Sequence, residues 1–169
     1  MSYVTIIAEK PSVAAAVAAI VGAKTPHRKG PTGYLEGNGY RVTWAFGHLV
    51  GLKSPEQMGF ASGQVPMFPE KWETRVLGRR VEGKDASDPM VDAQMKIITD
   101  LFFGASSIIV ATDAGREGEL IFRYIYEHID CRTSFDRLWI SSLTAEAIRQ
   151  GMQDLTLKND LDYYSCDAA

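Results

Sequence analysis

Residues 107–129 read SIIVATDAGREGELIFRYIYEHI, and this stretch decides the fold. Residues 107–112 are almost continuously apolar and β-branched, the pattern of a strand buried on both faces. The strand ends at Asp113, and residues 115–129 then place Leu120, Ile121, Tyr124, Ile125 and Ile129 on one side of a helix. The chain opens the same way. Residues 3–8 (YVTIIA) form an apolar, β-branched run, followed by Glu9, Lys10 and Pro11. Proline suits a first helical position, the Ala-rich residues 12–21 propagate a helix, and Gly22 is suited to end it. Two strand–turn–helix units of this kind predict an α/β fold with a mainly parallel central sheet flanked by helices.

Residues 88–103 have helical periodicity through Met90, Met95, Ile98 and Leu101, residues 135–140 form a third strand, and residues 144–152 another helix. The segment 24–39 is rich in Gly, Pro and Lys and reads as loop, except that 32–36 pairs with 40–46 around Gly37-Asn38-Gly39. Residues 47–84 are irregular and read as a surface insertion anchored by Phe68 and Trp72. Residues 1–153 thus form one domain, and 154–169 read as the start of the next.

Composition narrows the class. Apolar residues are 46% and charged residues 23% of the 169, which excludes a collagen, a disordered tail and a coiled coil. No apolar run approaches the roughly 18 residues of a membrane span, and the N-terminus lacks the pattern of a signal peptide. Two cysteines, Cys131 and Cys166, make neither a disulfide framework nor a metal-ligand pair, so the expectation is a reduced, cytoplasmic protein. Net charge is +4 over residues 1–53, +1 over 54–84 and −8 over 85–169. A basic first third beside an acidic last half suits a polyanion held near a metal-binding carboxylate cluster. A solvated surface accounts for the same asymmetry without any partner.

Two strands each ending in a carboxylate carry the chemistry. Ligands of open α/β sheets gather outside the carboxyl ends of strands, so neighbouring strands would bring Glu9 and Asp113 to one crevice. Glu117 lies one helical turn further on, and Lys10 and Arg116 sit beside Glu9 and Glu117. Hard oxygen ligands suit Mg²⁺, and the two cations would hold a phosphate. Acids in a first helical turn also complement the helix dipole, and Asp113 alone would serve as a cap, so spacing leaves both roles open. His48 follows a strand and would reach phosphate or move a proton, although a lone histidine is more commonly a surface or hydrogen-bonded residue. Neither a zinc spacing, a Walker A loop nor a dinucleotide fingerprint occurs.

Ile7-Ala8-Glu9-Lys10-Pro11-Ser12 resembles the opening of type IA DNA topoisomerases, and Trp44-Ala45-Phe46-Gly47-His48-Leu49 resembles their next shared segment. Ala111-Thr112-Asp113-Ala114-Gly115-Arg116-Glu117-Gly118-Glu119 resembles the acidic motif of their Toprim domain, and Ser141-Ser142-Leu143-Thr144 the end of that domain. The resemblance runs along nearly the whole chain and is nearest to the topoisomerase III subgroup. It implies a Toprim, Rossmann-like fragment of an enzyme that cuts one DNA strand, passes another through the gap and reseals it without ATP. It implies that Glu9 assists proton transfer at the 3′ oxygen and binds Mg²⁺, and that Lys10 positions the scissile phosphate. Asp113 and Glu117 would complete the metal site, Arg116 would steady it, and His48 would lie near single-stranded regions of DNA. No membrane is implied, and any helicase partner stays open. Two departures stand out: Gly115 replaces the second aspartate of the common motif, and the nucleophilic tyrosine of the family lies in a later domain. Tyr163 and Tyr164 match no such motif. The competing readings are another Toprim enzyme, primase-like or nuclease, and a non-catalytic DNA-binding module.

Overall fold

The computed structural model describes residues 2–157 except 62, 64, 65, 82, 83, 114 and 141. Ala114, Ser141, Tyr163, Tyr164, Cys166 and, of the segment 154–169 expected to start the next domain, all residues from 158 onward lie outside the described residues. In chain order the elements are β1 (Val4–Ala8), α1 (Pro11–Val21), β2 (Thr25–Lys29), β3 (Thr32–Gly37), β4 (Tyr40–Trp44), β5 (Val50–Leu52), β6 (Thr74–Val76), β7 (Arg79–Val81), β8 (Lys84–Ala86), α2 (Pro89–Gly104), β9 (Ser107–Ala111), α3 (Arg116–His128), β10 (Phe135–Arg137), α4 (Ala145–Gln153) and β11 (Thr156–Leu157). Seven strands form one sheet in the order β11-β10-β9-β1-β4-β3-β2. The four central strands are parallel, while β11 at one edge and β3 and β2 at the other run antiparallel to their neighbours.

The central strands are apolar along their whole length because both faces are covered. Ile6, Ala8, Ile109 and Ala111 pack with Val13, Val17 and Ile148 of α1 and α4. Ile7, Ile108 and Val110 pack on the other side with Ile98, Phe102, Ile121 and Phe122 of α2 and α3. Helix α1 begins at Pro11 and stops at Gly22, whose φ of 84° is the left-handed conformation that glycine adopts without a Cβ clash. Asp88 caps α2 by accepting from the Met90 N–H, and Thr144 caps α4 by accepting from the Ala147 N–H. Among the described residues no helix is long and apolar enough to cross a membrane.

Several expectations are corrected. Residues 25–29 form a strand rather than loop: β2 pairs antiparallel with β3 from Thr25↔Glu36 to Lys29↔Thr32. Its side chains are all exposed, so it carries no apolar signal, and its pairing with β3 defines it. The segment 47–84 is not a plain irregular insertion, because Leu49 and Val50 are core residues and β5–β6 and β7–β8 form two hairpins. Phe68 and Trp72 do not anchor it, being 83% and 53% exposed. Strand β10 ends at Arg137, short of Ile140, and β4 at Trp44, short of Phe46.

One buried polar side chain ties the antiparallel edge to the helical layer. Gln94 of α2 is fully buried. Its amide oxygen accepts from the Gly33 N–H at 2.8 Å, and its amide nitrogen donates to the Trp44 carbonyl at 2.7 Å and to Thr43 Oγ1 at 3.0 Å. Replacing Gln94 with leucine keeps the volume but strands these buried groups, each costing about 1–3 kcal/mol when unpaired. Gln94→Leu is expected to lower unfolding stability by about 3 kcal/mol. Urea denaturation would read this directly, and an unchanged midpoint would show that the edge does not rely on the clamp.

Candidate active site

Strands β1 and β9 lie side by side in parallel with Ala8 opposite Ala111, so the residues that follow leave the sheet at the same edge. Glu9 and Asp113, expected from the sequence to share a crevice, stand close enough for the Asp113 carboxyl to act on that of Glu9. Burial, then the hydrogen bond and the negative charge of Asp113, push the Glu9 carboxyl above the usual carboxylate range, while Lys10 opposes the shift. Two carboxyl groups in contact are most stable sharing a proton or a cation.

The loop after β4 is fastened to the same edge. The Ala45 N–H donates to the Ala8 carbonyl at 2.8 Å and the Gly47 N–H to the Glu9 carbonyl at 3.3 Å. This places His48 beside the start of α3, where His48 Nε2 lies 2.6 Å from Glu117 Oε1. The Glu117 side chain is 76% exposed. The expected set of Glu9, Asp113 and Glu117 therefore stands as two groupings, Glu9 with Asp113 and Glu117 with His48. Among the described residues no three His, Cys, Asp or Glu side chains are gathered closely enough to hold a metal ion. Lys10 is exposed at the start of α1 and Arg116 is exposed as the first residue of α3.

Behind Asp113 lies a network centred on Arg137, a residue that the sequence reading did not single out. Arg137 on β10 is 1% exposed. Its guanidinium donates to Thr112 Oγ1 at 2.8 Å and to the Asp113 carbonyl at 2.7 Å, and it lies 3.3 Å from Glu119 Oε2. Glu119 also accepts from Arg123 at 2.6 Å. Burial pushes the Arg137 pKa down and Glu119 works against that. Thr112 Oγ1 in turn donates to the Gly118 carbonyl at 2.7 Å. A Cβ at Gly118 would come within 2.1 Å of the Asp113 carbonyl oxygen, so only glycine lets α3 approach the turn this closely. The available signal was an arginine at an inward strand position between Phe135 and Leu138. The lone glycine between two glutamates in the acidic motif was the other.

Gly115 is sterically unremarkable. Its φ of −169° is extended backbone, and a Cβ there would meet nothing within 4 Å. It is the N-cap of α3 and supplies no side-chain cap. The departure from the common motif is therefore one of chemistry and not of backbone shape.

Comparison with known proteins fits this geometry. The Toprim domain family matches residues 4–143. The chain is 38% identical over 160 residues to DNA topoisomerase 3 of Shouchella clausii and 41% identical over 160 residues to that of Bacillus subtilis. Each alignment covers 92% of this chain and 20% of the relative, so the chain spans about a fifth of the length of these proteins. Among solved structures, full-length topoisomerase I from Thermotoga maritima superposes over 90% of this chain and 21% of its own, with a TM-score of 0.53 and 21% identity. That likeness supports the fold.

A carboxyl whose pKa is raised by folding binds its proton more tightly in the folded state. Its contribution to stability is present at low pH and is lost as pH rises from the unfolded value through the folded one. Glu9→Gln and Asp113→Asn are expected to melt higher than wild type at pH 7 and to flatten this pH dependence. Thermal melts at pH 4 and pH 7 would check it, and a Glu9→Gln protein no more stable than wild type at pH 7 would refute the paired-carboxyl reading.

Proposed function

The chain belongs to the Toprim domain family, and from that premise we propose that it is the acidic half of the active site of a type IA DNA topoisomerase, nearest to topoisomerase III. Its role is transient cleavage and resealing of one DNA strand at single-stranded regions, with the attacking tyrosine supplied by a part of the protein outside these residues. The observation that carries this reading is the Glu9–Asp113 pair at the carboxyl edge of the sheet, with Lys10 alongside. The relatives named DNA topoisomerase 3 support it.

The chemistry follows from a carboxyl whose hold on its proton is strengthened by burial and by the neighbouring Asp113. When the tyrosine, as its phenolate, attacks the phosphorus, the bond from phosphorus to the 3′ oxygen breaks and the leaving oxygen takes the proton of Glu9. On resealing, the 3′ hydroxyl attacks the phosphorus and returns its proton to Glu9, and the tyrosine leaves as its phenolate. Lys10 holds a non-bridging phosphate oxygen, and His48 and Arg116 hold the strand on either side. The oxygen donors Glu9, Asp113 and Glu117 suit a hard divalent cation, Mg²⁺ by chemistry, and the crowding of charge at Glu9 and Asp113 is what such a cation relieves. When bound, the ion would neutralise phosphate charge. Glu117 joins that set only by leaving His48. Cation and proton compete for the same pair, so affinity rises as pH passes the Glu9 pKa.

Two experiments test the proposal. The isolated chain is expected neither to nick nor to relax supercoiled plasmid, because the covalent route needs the tyrosine. A chimera in which this chain replaces the matching fifth of the Bacillus subtilis topoisomerase 3 is expected to relax it with a divalent cation, and Glu9→Gln in that chimera to lose about 100-fold or more in rate. Metal-dependent nicking by the chain alone would favour the nuclease reading. A second test is Mg²⁺ titration followed by NMR, with shifts centred on residues 9 and 113. Gly115→Asp adds an oxygen ligand at a sterically free position and is expected to bind Mg²⁺ more tightly, while melting lower without metal than the neutral cap variant Gly115→Asn. Unchanged affinity in a folded Gly115→Asp protein would show that position 115 does not face the metal.

A further inference from the structure

Strand β2, absent from the sequence reading, puts positive charge in line with the acid pair. Because β2 is antiparallel to β3 and β3 to β4, β2 runs in the same direction as β4, β1 and β9. Continuing the pairings places Arg28, Gly33, Trp44, Ala8 and Ala111 on one row across the sheet. The next row outward holds Lys29 on β2 and Glu9 beyond β1. Three strand spacings separate β2 from β1, about 14 Å.

Arg28 is held in place. Its guanidinium lies 4.4 Å above the ring of Trp44, a fully buried residue whose indole N–H donates to the Pro31 carbonyl. A guanidinium stacked on an indole keeps its in-plane N–H groups free to bond an anion. Among the described residues neither Arg28 nor Lys29 has an ion-pair partner. The nearest acid on the neighbouring strand, Glu36, is occupied by His27 and Arg41, both at 2.8 Å. Two exposed cations, one of them pre-positioned, thus stand at the same end of the sheet as Glu9 and Asp113.

We infer that Arg28 and Lys29 are a phosphate-binding station for the single DNA strand that reaches the acid pair. They hold phosphates a few nucleotides from the one at Glu9. The inference rests on the DNA-cleaving reading above and adds the direction from which the strand arrives: across β4 and β3, along the carboxyl edge. A cationic edge strand also discourages edge-to-edge pairing with another chain. Protection of that kind needs charge anywhere along β2, and does not account for the stacked, carboxyl-end position of Arg28.

The test is fluorescence anisotropy of a labelled oligothymidylate with the 169-residue chain over a range of salt. Arg28→Gln/Lys29→Gln is expected to weaken binding about fivefold or more and to reduce the magnitude of the salt slope by about 1.4, the value for two lost phosphate contacts on single strands. The charge-matched control Lys24→Gln/Lys96→Gln removes two exposed cations, one at the far end of β2 and one on α2, and should change affinity less than about twofold. Equal effects of the two double variants would overturn the proposal and leave only general charge attraction. Equal displacement by an oligoglutamate peptide would overturn it in favour of an acidic protein partner, and absence of binding by the wild-type chain would overturn it as well. If Arg28→Gln unfolds the edge, Lys29→Glu alone is expected to weaken binding, and its failure to do so would count against the station. Relaxation by the chimera, dependent on Glu9, decides the underlying function separately, so a failed station does not imply a failed active site.

Discussion

The parallel register of β1 against β9, with Ala8 opposite Ala111, is the constraint on which everything at the site depends. Both strands are buried on both faces, so a slip of one residue would turn each inward side chain to the wrong helical layer. Ile6 and Ile109 would leave the α1–α4 side, and Ile7 and Val110 the α2–α3 side, where each now packs. The core therefore fixes the register, and the register fixes how far Glu9 and Asp113 project beyond the sheet. The acid pair is a consequence of hydrophobic packing two residues away.

Register alone would leave Asp113 on a mobile turn. The Arg137 guanidinium closes that gap by bonding the Thr112 hydroxyl and the Asp113 carbonyl, while Glu119 from α3 meets it from the other side. Burying such charges costs several kcal/mol per ion unless partners are well placed, so the network is a poor source of stability. Its value is geometric: it joins β9, β10 and α3 around one backbone oxygen. Gly118 contributes by absence, letting α3 approach within a distance no other side chain permits.

The fold was legible where the physics is local. The strands at 4–8 and 107–111 announced themselves because burial on both faces demands unbroken apolar sequence, and α1 because Pro11 and Gly22 mark its ends. The edge was not legible. Strand β2 buries none of its side chains, so its sequence had no reason to alternate, and only its partner β3 defines it. Phe68 and Trp72 misled because a large aromatic ring is ordinarily evidence of burial, and here both face outward. At the site, the convergence of Glu9 and Asp113 was readable from two strand ends. The pairing of Glu117 with His48 was not, since it depends on how the loop after β4 bends back onto Glu9.

Four carboxyl groups crowd this end of the sheet, and their compensation is unequal. Glu119 has two arginines, with Arg123 at 2.6 Å and Arg137 at 3.3 Å. Glu117 has the imidazole of His48 and open solvent. Asp113 has its backbone carbonyl bonded by Arg137, while its carboxyl meets that guanidinium only through charge. The contact between Glu9 and Asp113 is left with Lys10 as the one opposing charge among the causes acting on Glu9, and burial outweighs it. A proton or a cation added to this end of the molecule therefore gains most at that pair, and less at acids already neutralised by neighbours. The upward shift of the Glu9 carboxyl follows from this imbalance, because burial and the charge of Asp113 together outweigh the single opposing charge of Lys10.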